Sequence, residues 1–172
     1  MERIMIIGCG GSGKSTLARQ LGEKTGLPVI HLDRIFWSPG NWQHLEKAEF
    51  DGLLQRELAK PQWIMDGNFN RTMPLRLEKC DTAIYLDYNR FVCIFSWLKR
   101  VISNWGKTRP DMGPTATNGW IRNLPNGYGH LIRRTAGNTM KCWHSRKIKR
   151  YTSLKTAASY ENFCANYKSC II

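Results

Sequence analysis

The sequence predicts an α/β domain: a parallel sheet of about five strands with helices on both faces and a small helical lid insert. Three observations carry this expectation. Short apolar runs of strand length (Ile4–Ile7, Pro28–Asp33, Trp63–Asp66 and Thr82–Asp87) alternate with segments of helical periodicity. Within these runs most residues are apolar rather than every second one, the pattern of strands covered on both faces. The first run leads directly into Gly8-Cys9-Gly10-Gly11-Ser12-Gly13-Lys14-Ser15, which fits G-x-x-x-x-G-K-[ST]. Thr16–Lys24 follows with apolar residues at helical spacing. Strand, glycine-rich loop and helix is the arrangement that aims successive backbone N–H groups and a helix N-terminus at a polyphosphate, so the fold expected is that of a P-loop nucleoside triphosphatase.

In that arrangement Gly8, Cys9, Gly10, Gly11, Ser12, Gly13, Lys14, Ser15 and Thr16 line the phosphates of ATP. Lys14 reaches the β- and γ-phosphates, and the Ser15 hydroxyl holds Mg²⁺. The second strand, Pro28–Asp33, ends in a carboxylate, and an aromatic loop with a Pro39-Gly40 turn signal spans Arg34–Trp42. Leu45–Lys60 reads as a helix with Leu45, Ala48, Phe50, Leu53, Leu54 and Leu58 on its apolar face, stopped by Pro61. Trp63–Asp66 is a third strand, 67–72 a loop, Leu75–Glu78 a short helix and Thr82–Asp87 a fourth strand. Phe91–Trp105 reads as a helix with Val92, Ile94, Phe95, Leu98, Val101 and Ile102 on its apolar face. A Gly/Pro-rich stretch, Gly106–Pro114, follows. Trp120–Arg134 is expected to be helical with a break at Pro125-Asn126-Gly127, Arg150–Lys155 a last strand and Ala157–Tyr167 a last helix. One domain, 1–172, is expected, with a candidate lid over about 100–135.

The net charge of +13 is unevenly placed. Residues 1–87 hold 11 basic and 11 acidic side chains, whereas 88–172 hold 15 Lys/Arg against only Asp111 and Glu161. A basic half facing a phosphate loop suits an anionic acceptor, and it also suits nucleic acid. No apolar stretch approaches the roughly 20 residues of a membrane span, and the first strand begins too early for a signal peptide ahead of it. A cytoplasmic protein is therefore expected. The six cysteines (Cys9, Cys80, Cys93, Cys142, Cys164, Cys170) form no C-x-x-C pair and are read as reduced thiols. Cys9 lies inside the phosphate loop, where a helix N-terminus favours thiolate and makes the sulfur oxidation-sensitive.

In open α/β sheets ligands gather at the carboxyl ends of the strands, where Asp33, Asp66 and Asp87 are expected. Asp66 or Asp87 could hold a water on Mg²⁺, or cap the following turn. Asp33 could orient or deprotonate an acceptor hydroxyl, with His31 two residues earlier on the same face. Arg71, Arg76, Arg100 and Arg109 are candidates to clamp phosphate or stabilise charge developing in the transition state, because a guanidinium stays charged and binds bidentately. Phe36, Trp37 and Trp42 form either a stacking wall for a ring or a packed aromatic flap.

The segment Asp66-Gly67-Asn68-Phe69-Asn70-Arg71-Thr72 resembles the Asp-Gly-Phe-Pro-Arg-Thr segment of adenylate-kinase-like P-loop proteins, with one extra residue before Arg71 and no proline. That resemblance implies an acceptor-side role for Arg71. The stretches Ile4–Arg19, His31–Gly40, Trp63–Thr72 and Gly106–Met112 are similar to those of the bacterial DNA topology modulation proteins, which look like small nucleotide kinases. The resemblance spans about 1–134. It implies a Mg²⁺–ATP-dependent phosphotransferase acting on a nucleotide or small hydroxylated acceptor, with Arg100 and Arg109 on its lid. The alternatives are a nucleotide-regulated DNA-binding protein, using the basic residues of 88–172, and a P-loop ATPase without a small acceptor. Oligomeric state does not follow from the sequence.

Overall fold

The computed structural model describes residues 1–37, 45–103, 150–155 and 159, and of 90, 97, 100, 101, 150, 151 and 153 the backbone alone. Five strands and five α-helices alternate along the described chain. They are β1 (Arg3–Gly8), α1 (Lys14–Thr25), β2 (Val29–His31), α2 (Leu32–Phe36), α3 (Lys47–Leu58), β3 (Trp63–Asp66), α4 (Met73–Lys79), β4 (Thr82–Leu86), α5 (Arg90–Ser103) and β5 (Arg150–Leu154). A 3₁₀ turn, Asn70–Thr72, leads into α4, and Pro74 sits in the first turn of that helix, where a missing N–H costs nothing. The strands form one sheet in the order β2-β3-β1-β4-β5, every neighbouring pair parallel.

Strand alternation divides the core into two layers. Met5 and Ile7 of β1, with Trp63, Met65, Ala83 and Tyr85, face Phe50, Leu54 and Leu58 of α3 and Met73 and Leu77 of α4. Ile4 and Ile6, with Ile64, Ile84, Leu86 and Leu154, face Leu17, Ala18 and Leu21 of α1. Both layers are closed to solvent: Ile4, Met5, Ile6, Leu17, Leu21, Trp63 and Ile64 are all 0% exposed. Each such aliphatic side chain contributes about 1.5–3 kcal/mol by burial, so together they outweigh any single polar contact described below.

Three expectations change. The second strand is shorter than its apolar run, because the chain turns helical at Leu32, and Asp33 therefore lies in the first turn of α2 rather than at a strand end. Leu32, the first residue of α2, is buried against Gly67, whose absent side chain lets it approach. Of the expected apolar face of α5, Phe91, Val92, Ile94, Phe95, Leu98 and Ile102 are open to solvent, and among the described side chains of that helix Cys93 is buried. The cysteines are not all reduced, for Cys9 and Cys93 form a disulfide. β1 and β4 are register neighbours, Gly8 opposite Leu86. The segments leaving both strands therefore emerge side by side, which brings together residues 84 apart in sequence. Loop Gly106–Pro114, the lid residues 104–135, Trp42, and the last helix expected over Ala157–Tyr167 lie outside the described residues, save Ser159.

Candidate active site

The carboxyl ends of β1, β2 and β3 meet at one rim, and the site is built there. Gly8 ends β1 with φ +156°; a Cβ on it would lie 2.8 Å from Leu86 O and 2.8 Å from Ser12 Oγ. Only glycine lets the loop leave the strand so close to β4. Gly11 and Gly13 hold φ +82° and +86°, which turns the chain back before α1 begins at Lys14. Within the loop the Ser12 N–H donates to Cys9 O at 3.2 Å, and Lys14 Nζ donates to the same carbonyl at 2.8 Å. Ser12 Oγ is buried with no hydrogen-bond partner among the described residues. An unsatisfied buried hydroxyl in a loop that ends in a helix N-terminus fits a polyphosphate.

The Ser15 hydroxyl donates to Asp66 Oδ2 at 2.7 Å. The second oxygen of that carboxylate, Oδ1, lies 2.7 Å from His31 Nδ1. His31 and Asp66 are register partners on adjacent parallel strands, so their side chains emerge on one face. Asp66 is 4% exposed, and a buried carboxylate needs such partners. The hydroxyl–carboxylate pair of Ser15 and Asp66 is an all-oxygen donor set suited to Mg²⁺, which takes one or two protein oxygens together with substrate phosphates. Among the described residues no group of three or more His, Cys, Asp or Glu side chains converges to hold a metal by itself. Of the strand-end carboxylates Asp66 and Asp87, Asp66 is the one on Ser15. The Asp87 amide instead continues the β4–β5 ladder to Leu154 O at 3.0 Å.

Two residues that sequence reasoning did not single out or misjudged hold this rim together. Asn68 accepts from the Gly8 N–H at 3.2 Å and donates through Nδ2 to Gly8 O, which ties the start of the phosphate loop to the loop after β3. Arg76, read from sequence as a phosphate clamp, is 0% exposed. Its guanidinium donates to Gly67 O at 2.8 Å and Phe69 O at 2.9 Å, bracing the loop that carries Asn68. Desolvation lowers its pKa to about 10, so it remains charged at neutral pH. Phe69 in turn packs at a tilt against Phe36 and Phe50, with ring centroids 5.2 Å and 5.0 Å away. Phe36 is thus a packing residue of the flap rather than a free stacking wall.

The structure places the remaining expected residues as follows. Asp33 is exposed on α2, two residues past His31. Arg71 is exposed and forks onto Asp51 of α3, at 2.6 Å and 2.7 Å. That contact raises the arginine's pKa and holds the Asp51 carboxyl below its ordinary value. Arg100 lies in the last part of α5, its side chain outside the described residues together with all of Arg109. A cleft of about 350 Å³ opens beside β2, lined by His31, Arg34, Ile35, Leu53 and Glu57 among others.

This sheet order, with a glycine-rich loop between β1 and α1 and an oxygen pair at its mouth, defines an α/β protein of the P-loop kinase fold. No protein-family model matches the chain. In sequence it is 26% identical over 110 residues to an adenylate kinase of Clavibacter michiganensis subsp. michiganensis, a stretch that covers 62% of this chain. The chain spans about half (53%) of the length of that relative. In structure it is similar over 99% of its length to a shikimate kinase from Acinetobacter baumannii in complex with shikimate, covering 93% of that chain (TM-score 0.58, 12% identity). It is also similar to a deoxyadenosine kinase from M. mycoides with bound dCTP, covering 98% of this chain and 99% of that one (TM-score 0.53, 12% identity). A gluconokinase from Sinorhizobium meliloti 1021 shares the fold over 99% of this chain and 98% of its own (TM-score 0.51, 13% identity). Among the described residues no helix is long and apolar enough to cross a membrane.

Proposed function

We propose that this protein is a Mg²⁺–ATP-dependent phosphotransferase that passes the γ-phosphoryl group of ATP to a nucleotide or a small hydroxylated acceptor. The observation that carries the reading is the Ser15–Asp66–His31 chain of hydrogen bonds set directly beside the phosphate loop. A glycine-rich turn without phosphate chemistry has no use for a buried carboxylate fixed on the first turn of the following helix. Sequence similarity to an adenylate kinase and the shared fold of three small-molecule kinases support the same class.

Phosphoryl transfer is mostly positioning and charge neutralisation. Amides of Gly8–Thr16 bind and orient the phosphates. Lys14, by leaving the Cys9 carbonyl, brings its charge to the β- and γ-phosphates. Ser15 and Asp66 would hold Mg²⁺, which when bound neutralises charge between the phosphates. His31 keeps Asp66 in one rotamer by occupying its other oxygen. Asp33, exposed close by in sequence, orients an acceptor hydroxyl and takes up its proton. Arg71 leaves its surface pair with Asp51 to meet an anionic acceptor, while Arg100 and Arg109 close the lid and expel water. The protein works in the cytoplasm, where ATP is held.

The test is ADP formation from Mg²⁺–ATP with and without a panel of nucleoside monophosphates, nucleosides and hydroxy metabolites, with product mass read by spectrometry. A phosphorylated product that Lys14→Ala fails to form establishes the kinase and its acceptor class. Turnover blind to every acceptor, or unaffected by Lys14→Ala, overturns the proposal. The 15 Lys/Arg of 88–172 favour a second reading, nucleotide-regulated DNA binding of the kind the topology-modulation resemblance suggests. Sequence-selective DNA binding that changes with ATP would support it; loss of affinity with salt alone shows only phosphate contact.

A further inference from the structure

We propose that the Cys9–Cys93 bridge is a thiol–disulfide switch on the phosphate loop, with the bridged form binding nucleoside triphosphate more weakly than the dithiol. The inference rests on the nucleotide-binding part of the function proposed above. Cys9 is the first residue of the loop after Gly8, and its carbonyl accepts from both the Ser12 amide and Lys14 Nζ. It is therefore the residue onto which the loop folds when Lys14 is turned inward. The bridge fastens this residue to α5, with the two Cα atoms 6.8 Å apart. That separation is at the far end of the roughly 4.4–6.8 Å a disulfide spans. The bond lets the loop approach α5 but not draw away from it. In the bridged form Lys14 Nζ lies on the Cys9 carbonyl; a triphosphate must draw Lys14 off it, and a tether that fixes Cys9 resists any accompanying shift of the loop, so the bridged form is the one that binds less well.

The chemistry suits the two sulfurs. Cys9 is partly exposed, whereas Cys93 is 1% exposed. A low-molecular-weight disulfide such as oxidised glutathione therefore meets Cys9 first. The Cys9 thiolate attacks one glutathione sulfur, breaking that S–S bond and releasing one glutathione thiolate. The Cys93 thiolate then attacks the Cys9 sulfur of the mixed disulfide, forming the bridge and releasing the second. The two protons given up by the protein thiols end on the two released glutathiones; the protein loses two electrons and glutathione disulfide gains them. Among the described cysteines Cys80 has no such partner: it is free, and burial pushes its thiol up to about 11, where little thiolate forms.

The experiment compares the full chain equilibrated with oxidised and with reduced glutathione, the bridge being assigned by peptide mass mapping without reductant. ATP affinity is measured on both forms, and on Cys93→Ser, which removes the tether without touching the loop. The expected result is a bridged wild type that binds ATP at least about fivefold more weakly than the dithiol, the lower end of ordinary coupling between sites, while Cys93→Ser binds equally under both treatments. Because coupling is reciprocal, saturating ATP shifts the glutathione ratio at half-bridging toward the dithiol by the same factor. This second measurement uses the wild type alone and decides the matter even where the variant does not fold. Failure to find a Cys9–Cys93 peptide at any ratio, or equal or tighter binding by the bridged form, overturns the switch. A redox effect that persists in Cys93→Ser overturns it as well. If neither form binds ATP, the function proposed above falls together with the switch, whereas equal binding removes the switch and leaves that function standing.

Discussion

Replacing Asp66 by Asn changes one atom of a buried side chain and separates its two roles. In the protein the carboxylate accepts two hydrogen bonds, from Ser15 Oγ and His31 Nδ1, each 2.7 Å long. A hydrogen bond to an ionised group contributes about 1.5–3 kcal/mol and a neutral one about 1 kcal/mol. The amide keeps its carbonyl oxygen on the His31 N–H, and the Ser15 hydroxyl turns to accept from the new N–H₂. Both bonds persist in weaker form, so the expected loss of stability is about 1–3 kcal/mol. For a chain of this length that lowers the melting temperature by about 2–4 °C per kcal/mol. The loss of negative charge falls on Mg²⁺ handling, where removal of a group that holds or orients the metal's ligands ordinarily costs about 10–100-fold in metal affinity or activity. The assay is a Mg²⁺ titration of ATP turnover beside a thermal melt. Asp66→Asn is expected to fold, to melt a few degrees lower and to need at least about tenfold more Mg²⁺. A variant with unchanged Mg²⁺ dependence would refute the role given to Asp66 and leave it a structural acceptor for Ser15 and His31.

Three further perturbations test other parts of the structure. Arg71→Ala is expected to raise the KM for the acceptor while leaving ATP affinity unchanged; equal loss of both removes its acceptor-side role. Gly8→Ala forces a Cβ to within 2.8 Å of Leu86 O, a backbone atom that cannot move aside, at a cost of about 1–3 kcal/mol read as a lower melting temperature. An unchanged melt would show that the loop has room to shift. Burial pushes the Asp81 carboxyl up, but hydrogen bonds from the Thr82 hydroxyl and the Glu2 and Arg3 amides outweigh this and hold it below its ordinary 3.8. A carboxyl whose folded pKa is depressed stabilises the fold above its unfolded pKa, and that stability is lost as pH falls through the folded value. Asp81→Asn should therefore unfold at lower urea than wild type at pH 7, with the gap closing below about pH 4; a gap independent of pH would contradict the assignment.

The strands, the phosphate loop and most helix positions were legible in the sequence because each is a local property. A four-residue apolar run, a glycine pattern and a 3.6-residue period survive without knowledge of what packs against them. Trp63–Asp66 matches its strand residue for residue, and Lys47–Leu58 falls within the predicted helix. What failed was set by neighbours distant in sequence. Pro28–Asp33 reads as strand throughout, yet the chain leaves β2 at His31 and turns helical at Leu32, which packs against Gly67 from the loop after β3. Arg76 looks like any other phosphate-seeking arginine until its burial beneath the Gly67 and Phe69 carbonyls is seen. Asn68 lies within the Trp63–Thr72 stretch that carries the resemblance but had no role there, and its grip on Gly8 depends on β1 and β3 lying side by side.

The sequence by itself determined that this protein has a parallel α/β core and a loop shaped for phosphate, since both follow from short-range pattern and from the conformational freedom of a few glycines. Only the tertiary structure decided which carboxylate meets Ser15, which arginine is buried and which cysteine Cys9 reaches. Those are questions of strand order and register: β3 beside β1 brings Asp66 to the loop, β2 beside β3 brings His31 to Asp66, and β4 on the other side of β1 brings α5 and Cys93 to Cys9. Strand order is fixed by the burial of two whole layers at once, a sum over residues that no local stretch of the chain contains.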